Sequence, residues 1–265
     1  MVDLASHRLH LSPPSSAIPR VHPIDTAHPW AWLAAGWRDM CAAPLVSAFY
    51  GVLAVVSSFV LVAGLAMMEM HYLVLPMAAG FMLVGPVLAV GLYETSRLLE
   101  RGEPVTPRAV LGAYRRNGTQ IAGLGVVLML ALLAWIRVAL LVFALFFSSE
   151  PPALDQLVDR VFFSSHTIPF LLTGTVVGAV IAAAVFAVGA VSLPMLLDRE
   201  TDVFTAMATS AEAVRRNGRA MLVWAALVAL FTAASIATAF LGLAIAFPLI
   251  GHATWHCYRD LAAER

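Results

Sequence analysis

Charge is nearly absent from long stretches of this chain, and that absence constrains the fold more than any motif does. Leu45–Met68, Tyr72–Leu92, Ile121–Phe147, Ile168–Leu197 and the run from Met221 to about Tyr258 are apolar almost throughout. Roughly 20 helical residues at about 1.5 Å each cross a hydrocarbon layer about 30 Å thick. Inside such a layer only helices and closed barrels satisfy their own backbone. With 61% hydrophobic and 12% charged residues, the chain also lacks the charge that a water-facing surface requires. The expected fold is all-α, a polytopic membrane helical bundle.

The first two runs are separated only by Glu69, Met70 and His71 and read as a hairpin. The third and fourth form another, with a longer acidic connection. The last run would extend about 57 Å as a single helix, so it reads as two helices turning near Thr238–Gly242. That makes six transmembrane helices in three hairpins. Every basic residue is arginine. Arg8, Arg20 and Arg38 precede the first span, and Arg97, Arg101, Arg108, Arg115 and Arg116 separate spans two and three. Arg199, Arg215, Arg216 and Arg219 separate spans four and five, while Arg259 and Arg265 follow span six. The opposite connections carry Arg160 beside Glu69, Glu150, Asp155 and Asp159. The positive-inside rule then puts both termini in the cytoplasm. Zero net charge argues against nucleic acid as a partner; the bilayer and its anionic lipids are the expected ones.

Six residues occur almost twice: Ala113-Tyr-Arg-Arg-Asn-Gly118 and Ala213-Val-Arg-Arg-Asn-Gly218. Each copy stands just before an apolar run, so the repeated unit reads as an amphipathic surface helix feeding a hairpin. Approximate repeats are 28–101, 102–201 and 202–265, following a Pro-, Ser- and His-rich tail over 1–27 that reads as flexible and not as a signal peptide. The surface helices are expected over Pro29–Ala42, from Thr106-Pro107 to Gly118, and over Val203–Arg216. In the first, Trp30 and Trp37 favour the headgroup zone. Gly118 and Gly218 read as left-handed C-caps. Leu154, Leu157, Val158, Val161 and Phe162 have the spacing of a short helix on the outer leaflet. Pro86, Pro194 and Pro248 are expected to kink spans near the arginine-rich side, and Gly174 with Gly178 to permit close helix approach. Cys41 and Cys257 read as reduced thiols.

No catalytic constellation is present, so the chain reads as non-enzymatic. His252 and His256 share one helix face, a geometry open to haem or metal, with Glu94 as a further donor, or to hydrogen bonds between helices. Ala253 rules out HExxH. Arg137 interrupts span three; it either serves transport or a proton relay, or reaches outward to headgroups, Asp155 or Asp159. The pairs Arg115–Arg116 and Arg215–Arg216 set topology and suit anionic lipid or a cytoplasmic partner.

Five segments together resemble a bacterial integral-membrane family classed as a domain of unknown function (number 2189). They are Gly36-Trp-Arg-Asp39, Gly85–Glu94, Leu193–Arg199, Thr205–Ser210 and Gly251–Arg259. The resemblance covers about Pro29 to Arg259. Some members carry the label of cytochrome c oxidase subunit, which implies an accessory or assembly role among other integral-membrane subunits of a respiratory complex. A catalytic haem–copper subunit needs more intramembrane histidines than His252 and His256. Carriage of a small solute or lipid, and haem or metal handling, are the alternatives.

Overall fold

The computed structural model describes residues 19–70, 73–147 and 164–262. The expected outer-leaflet helix, Asp155, Asp159 and most of the tail lie outside them. The helices are α1 (His28–Ala42), α2 (Pro44–Met67), α3 (Val74–Leu88), α4 (Val90–Glu100) and α5 (Pro107–Gly112), the last running into a 3₁₀ turn at Ala113–Arg115. Then follow α6 (Gly118–Phe147), α7 (Thr167–Gly189), α8 (Ser192–Asp198), α9 (Val203–Arg216), α10 (Gly218–Ala237) and α11 (Leu243–Ala262). No strand occurs among the described residues.

Four helices are long and apolar enough to cross a membrane: α2, α6, α7 continued through α8, and α10. The α3–α4 pair, bent by 42°, makes a fifth. α11 falls short of that standard because its second half carries His252, His256, Arg259 and Asp260. The surface helices α1 and α9 lie where their sequences place them. Thr106 caps α5 by accepting from Ala109 N at 3.3 Å, and Asp202 caps α9 by accepting from the Phe204 and Thr205 amides.

Two of the three prolines stand near helix breaks, Pro194 in the first turn after one and Pro86 three residues before the other. Proline lacks an N–H, so the carbonyl four residues earlier loses its donor. Pro194 thereby strands Ala190 O, where α7 gives way to α8; beyond Pro86 the chain breaks at Ala89. Side chains from the surface elements bond other open backbone groups at both breaks. Ser210 of α9 donates to Ala187 O at 2.8 Å and accepts from Val191 N at 3.3 Å. Tyr114 of the 3₁₀ turn donates to Val87 O and Leu88 O at 3.2 and 3.1 Å. α11 continues through Pro248.

Gly118 and Gly218 are not left-handed caps: each is the first residue of the next helix, and the glycine with positive φ is Gly102. The asparagine before each glycine performs the tertiary task. Asn117 Nδ2 donates to Thr201 O at 2.9 Å, ahead of α9. Asn217 accepts from Ile24 N at 2.9 Å and donates to His22 O at 3.1 Å, ahead of α1. The two copies of the motif thus grip the leader of a surface helix in the same way.

α1 and α2 pack along α11, α6 packs along α3, and α9 lies under α7; α10 scarcely touches α7. On α1 the exposed stripe holds Trp30 and Trp37, while the face against α11 buries Trp32, Ala35 and Gly36. Trp32 donates to Asp260 at 2.7 Å and meets Trp224 edge-on. Contact between α2 and α11 requires Gly51, whose Cβ would land on the Ala244 carbonyl. Gly178 leaves room for the Trp135 indole, whereas Gly174 faces open space. Gly51→Ala is therefore expected to cost about 1–3 kcal/mol through overpacking, and Gly174→Ala to leave stability unchanged or slightly raised. Reversible denaturation of both variants in detergent, followed by tryptophan fluorescence, checks the contrast.

Candidate functional site

Three helices that end at the arginine-rich side, α4, α8 and α11, converge there. Their apolar faces are sealed: Leu92, Tyr93, Leu193, Met195, Leu196 and Trp255 are all buried. Around this plug the polar side chains pair off. Arg97 donates to Glu94 through Nε and Nη2 at 2.7 and 2.8 Å, both side chains being 1% exposed. Arg116 adds a longer contact to Glu94 at 3.3 Å. Tyr258 and Arg101 reach Asp198. Arg259 and Trp255 share Glu100, and Arg199 donates to Tyr258 Oη and Ala262 O. A buried ion pair of this kind fixes one arrangement more than it adds stability, because removal from water cancels much of the attraction.

His252 is fully buried with Ser47 Oγ 3.0 Å from Nε2 and Ser96 Oγ 2.8 Å from Nδ1. His256 reaches a different partner, Asp39 Oδ2, at 2.8 Å, and Ser96 also hydrogen-bonds Asp39. Ser47 donates its proton to Ala43 O at 2.9 Å and so meets Nε2 as an acceptor, while His256 donates to Asp39. Both ring nitrogens of His252 are thus engaged by serine hydroxyls within the protein. Glu94, taken by Arg97, does not join the histidines. Among the described residues no three His, Cys, Asp or Glu side chains converge on a point.

The remaining expected positions disperse. Arg137 is exposed on α6, and its expected partners fall outside the described residues. Arg115 is exposed. Arg215 and Arg216 are exposed and both hold Glu212. Hydrogen bonds from Arg215 and Arg216 bring the Glu212 carboxyl down to about 2.

Above the plug, toward the opposite end, lies a chamber of about 440 Å³, within the roughly 300–1,000 Å³ common for small-molecule sites. One wall is α7, presenting small residues such as Gly178, Ala179, Ala182 and Gly189. The facing wall is α10, with Trp224, Val228 and Thr232. Leu128 and Trp135 of α6, Pro86 of α3 and Phe247 of α11 complete it. Trp135 is pinned across it by donating to Pro76 O at 2.8 Å. Thr232 and Thr254 spend their hydroxyl protons on Val228 O and Ile250 O of their own helices, so neither offers a donor to the interior. Sequence reading finds none of this, because small residues along α7 look the same whether they pack or line a void.

The model of the family described as "Predicted integral membrane protein (DUF2189)" matches residues 74–198, which span α3 through α8. No curated protein and no solved structure matches the chain.

Arg97→Met leaves Glu94 buried against Arg116 alone and is expected to cost about 3–5 kcal/mol; Glu94→Leu with Arg97→Met restores most of it. Chemical denaturation of both variants tests the pair. Burial pushes the Asp39 carboxyl up, but hydrogen bonds from His256 and Ser96 outweigh it and leave Asp39 below its ordinary 3.8. A depressed carboxyl stabilises the fold only when ionised. Its contribution is complete above the unfolded value and lost as pH falls through the folded one. Melting temperature is expected to fall between about pH 5 and pH 3, with a shallower decline in Asp39→Asn.

Proposed function

We propose that this protein is a non-enzymatic, multi-pass membrane protein that holds an apolar, chain-like ligand inside its helical bundle, as a carrier or holder. The observation that carries the reading is the chamber: it lies among spanning helices, its wall is largely apolar and holds no charged side chain, and the Thr232 and Thr254 hydroxyls are already bonded to their own helices. In this reading α11 is the sixth span, shielded from lipid along much of its length by α1 and α2. The arginine-rich end faces the cytoplasm by the positive-inside rule, and the three approximate repeats each lay a surface helix beneath the preceding unit's last span. The exposed tryptophans of α1, Trp30 and Trp37, anchor in the headgroup zone. An accessory role in a respiratory complex rests on the family resemblance alone, whereas the chamber belongs to this chain.

Titration of the purified protein with a fluorescent fatty-acid analogue is expected to saturate at about one per chain, the capacity of a single chamber of this size. Ala182→Phe, which fills the chamber, is expected to weaken binding about tenfold, the loss of contact for roughly two methylenes at ~0.8 kcal/mol each. Unchanged binding in Ala182→Phe, with the melting curve intact, would contradict the assignment.

A further inference from the structure

We infer that the occupant is one acyl chain of an anionic membrane phospholipid, that it enters sideways between α7 and α10, and that its phosphate rests on Arg215 and Arg216. The inference builds on the chamber reading above.

The route follows from which contacts the bundle makes. α2 packs along α11 and α6 packs along α3, so twice the first span of one unit closes against the last span of the unit before it. The third such pair, α10 and α7, scarcely meets. Their separation leaves a slit along the chamber, and Thr175, Ala179 and Ala182 remain exposed on α7 although they line it. The arginine-rich end is plugged by the buried faces of α4, α8 and α11, so a water-soluble ligand has no path from that side. A slit between two spanning helices faces hydrocarbon, and hydrocarbon is what lies against it.

Shape and chemistry narrow the ligand further. From Thr175 to Ala190 the chamber follows α7 for about 22 Å at 1.5 Å per residue, a length suited to an extended chain. The lining holds no charged side chain, and Thr232, Thr254 and Trp135 have their donors engaged within the protein, so a charged headgroup stays outside. α9 forms the sill of the slit. It is bonded to the foot of α7 through Ser210 and ends at Arg216, two residues before α10 begins. On that sill Arg215 and Arg216 are 72% and 55% exposed. Glu212 takes two N–H groups of Arg215 and engages Nε of Arg216, leaving further donors on both guanidiniums. Arginine forks match phosphate oxygens, and at a lipid surface each cation contributes attraction to anionic headgroups.

The test uses Trp224, which lines the chamber and is only 2% exposed, so bulk lipid does not reach it. The full-length protein is reconstituted in vesicles whose phospholipids carry brominated mid-chain carbons, which quench indole on contact. The Trp224 signal is the difference between wild type and Trp224→Phe. The expected result is quenching of that difference signal by brominated phosphatidylglycerol at least about threefold more effectively than by phosphatidylcholine, with the preference abolished in Arg215→Gln/Arg216→Gln. Equal quenching by both lipids would overturn the arginine assignment. No quenching of Trp224, while the exposed Trp37 is quenched, would overturn sideways access. In that case a brominated fatty acid added in detergent separates the two readings. If it quenches Trp224 the chamber stands without the slit, and if it does not, both fall. Should Trp224→Phe fail to fold, a phospholipid with a mid-chain photoreactive group on the wild-type protein replaces it. Adducts at Trp224 or Val228 support the inference, and adducts confined to the outward Leu222 and Leu230 overturn it.

Discussion

A carbonyl that loses its partner inside hydrocarbon must find another, and that requirement organises this bundle. The helix breaks at the arginine-rich side of two spans open backbone groups, and each unmet group in lipid costs several kcal/mol. Ser210 and Tyr114, both from surface elements, supply the missing bonds. The surface helices are therefore joined to the spans by necessity and not merely by proximity. Asn117 and Asn217 extend the same logic, each fastening the stretch that leads into a surface helix.

Breaking the spans has a geometric consequence. Beyond the breaks the short helices α4 and α8 meet the end of α11, where buried apolar faces and ion pairs hold them. Two of three neighbouring pairs still close, helped by residues such as Gly51 that let backbones approach; α7 and α10 do not. α7 buries none of its residues, which is costly in water and natural beside lipid. The chamber is thus what remains when a tightly fastened end meets an incompletely closed ring.

Much of this was legible from residue order. Apolar runs marked α2, α6, α7 and α10, and the amphipathic run Val203–Arg216 marked α9. The doubled Arg-Arg-Asn-Gly pointed to equivalent places in the fold. Its chemistry was misassigned, since attention to glycine as a cap hid the asparagine that makes the long-range bond. On α1 the exposed tryptophans were visible as a stripe, but Trp32, which donates to Asp260 across more than two hundred residues of sequence, was not. His252 and His256 were found as a pair; that each faces a separate partner depends on α1, α2 and α4 arriving around them, which no local spacing encodes. The void between α7 and α10 was wholly invisible, because an absent contact leaves no pattern in either helix.

The most direct measurement is an experimental density map of the protein in a lipid nanodisc, at a resolution that separates acyl chains from side chains. The account predicts α7 and α10 held apart, with a continuous rod of density between them reaching Trp224 and the floor formed by Pro86 and Gly251. Direct packing of α7 along α10, with Ala179 and Ala182 against Val228 and no space between, would contradict it.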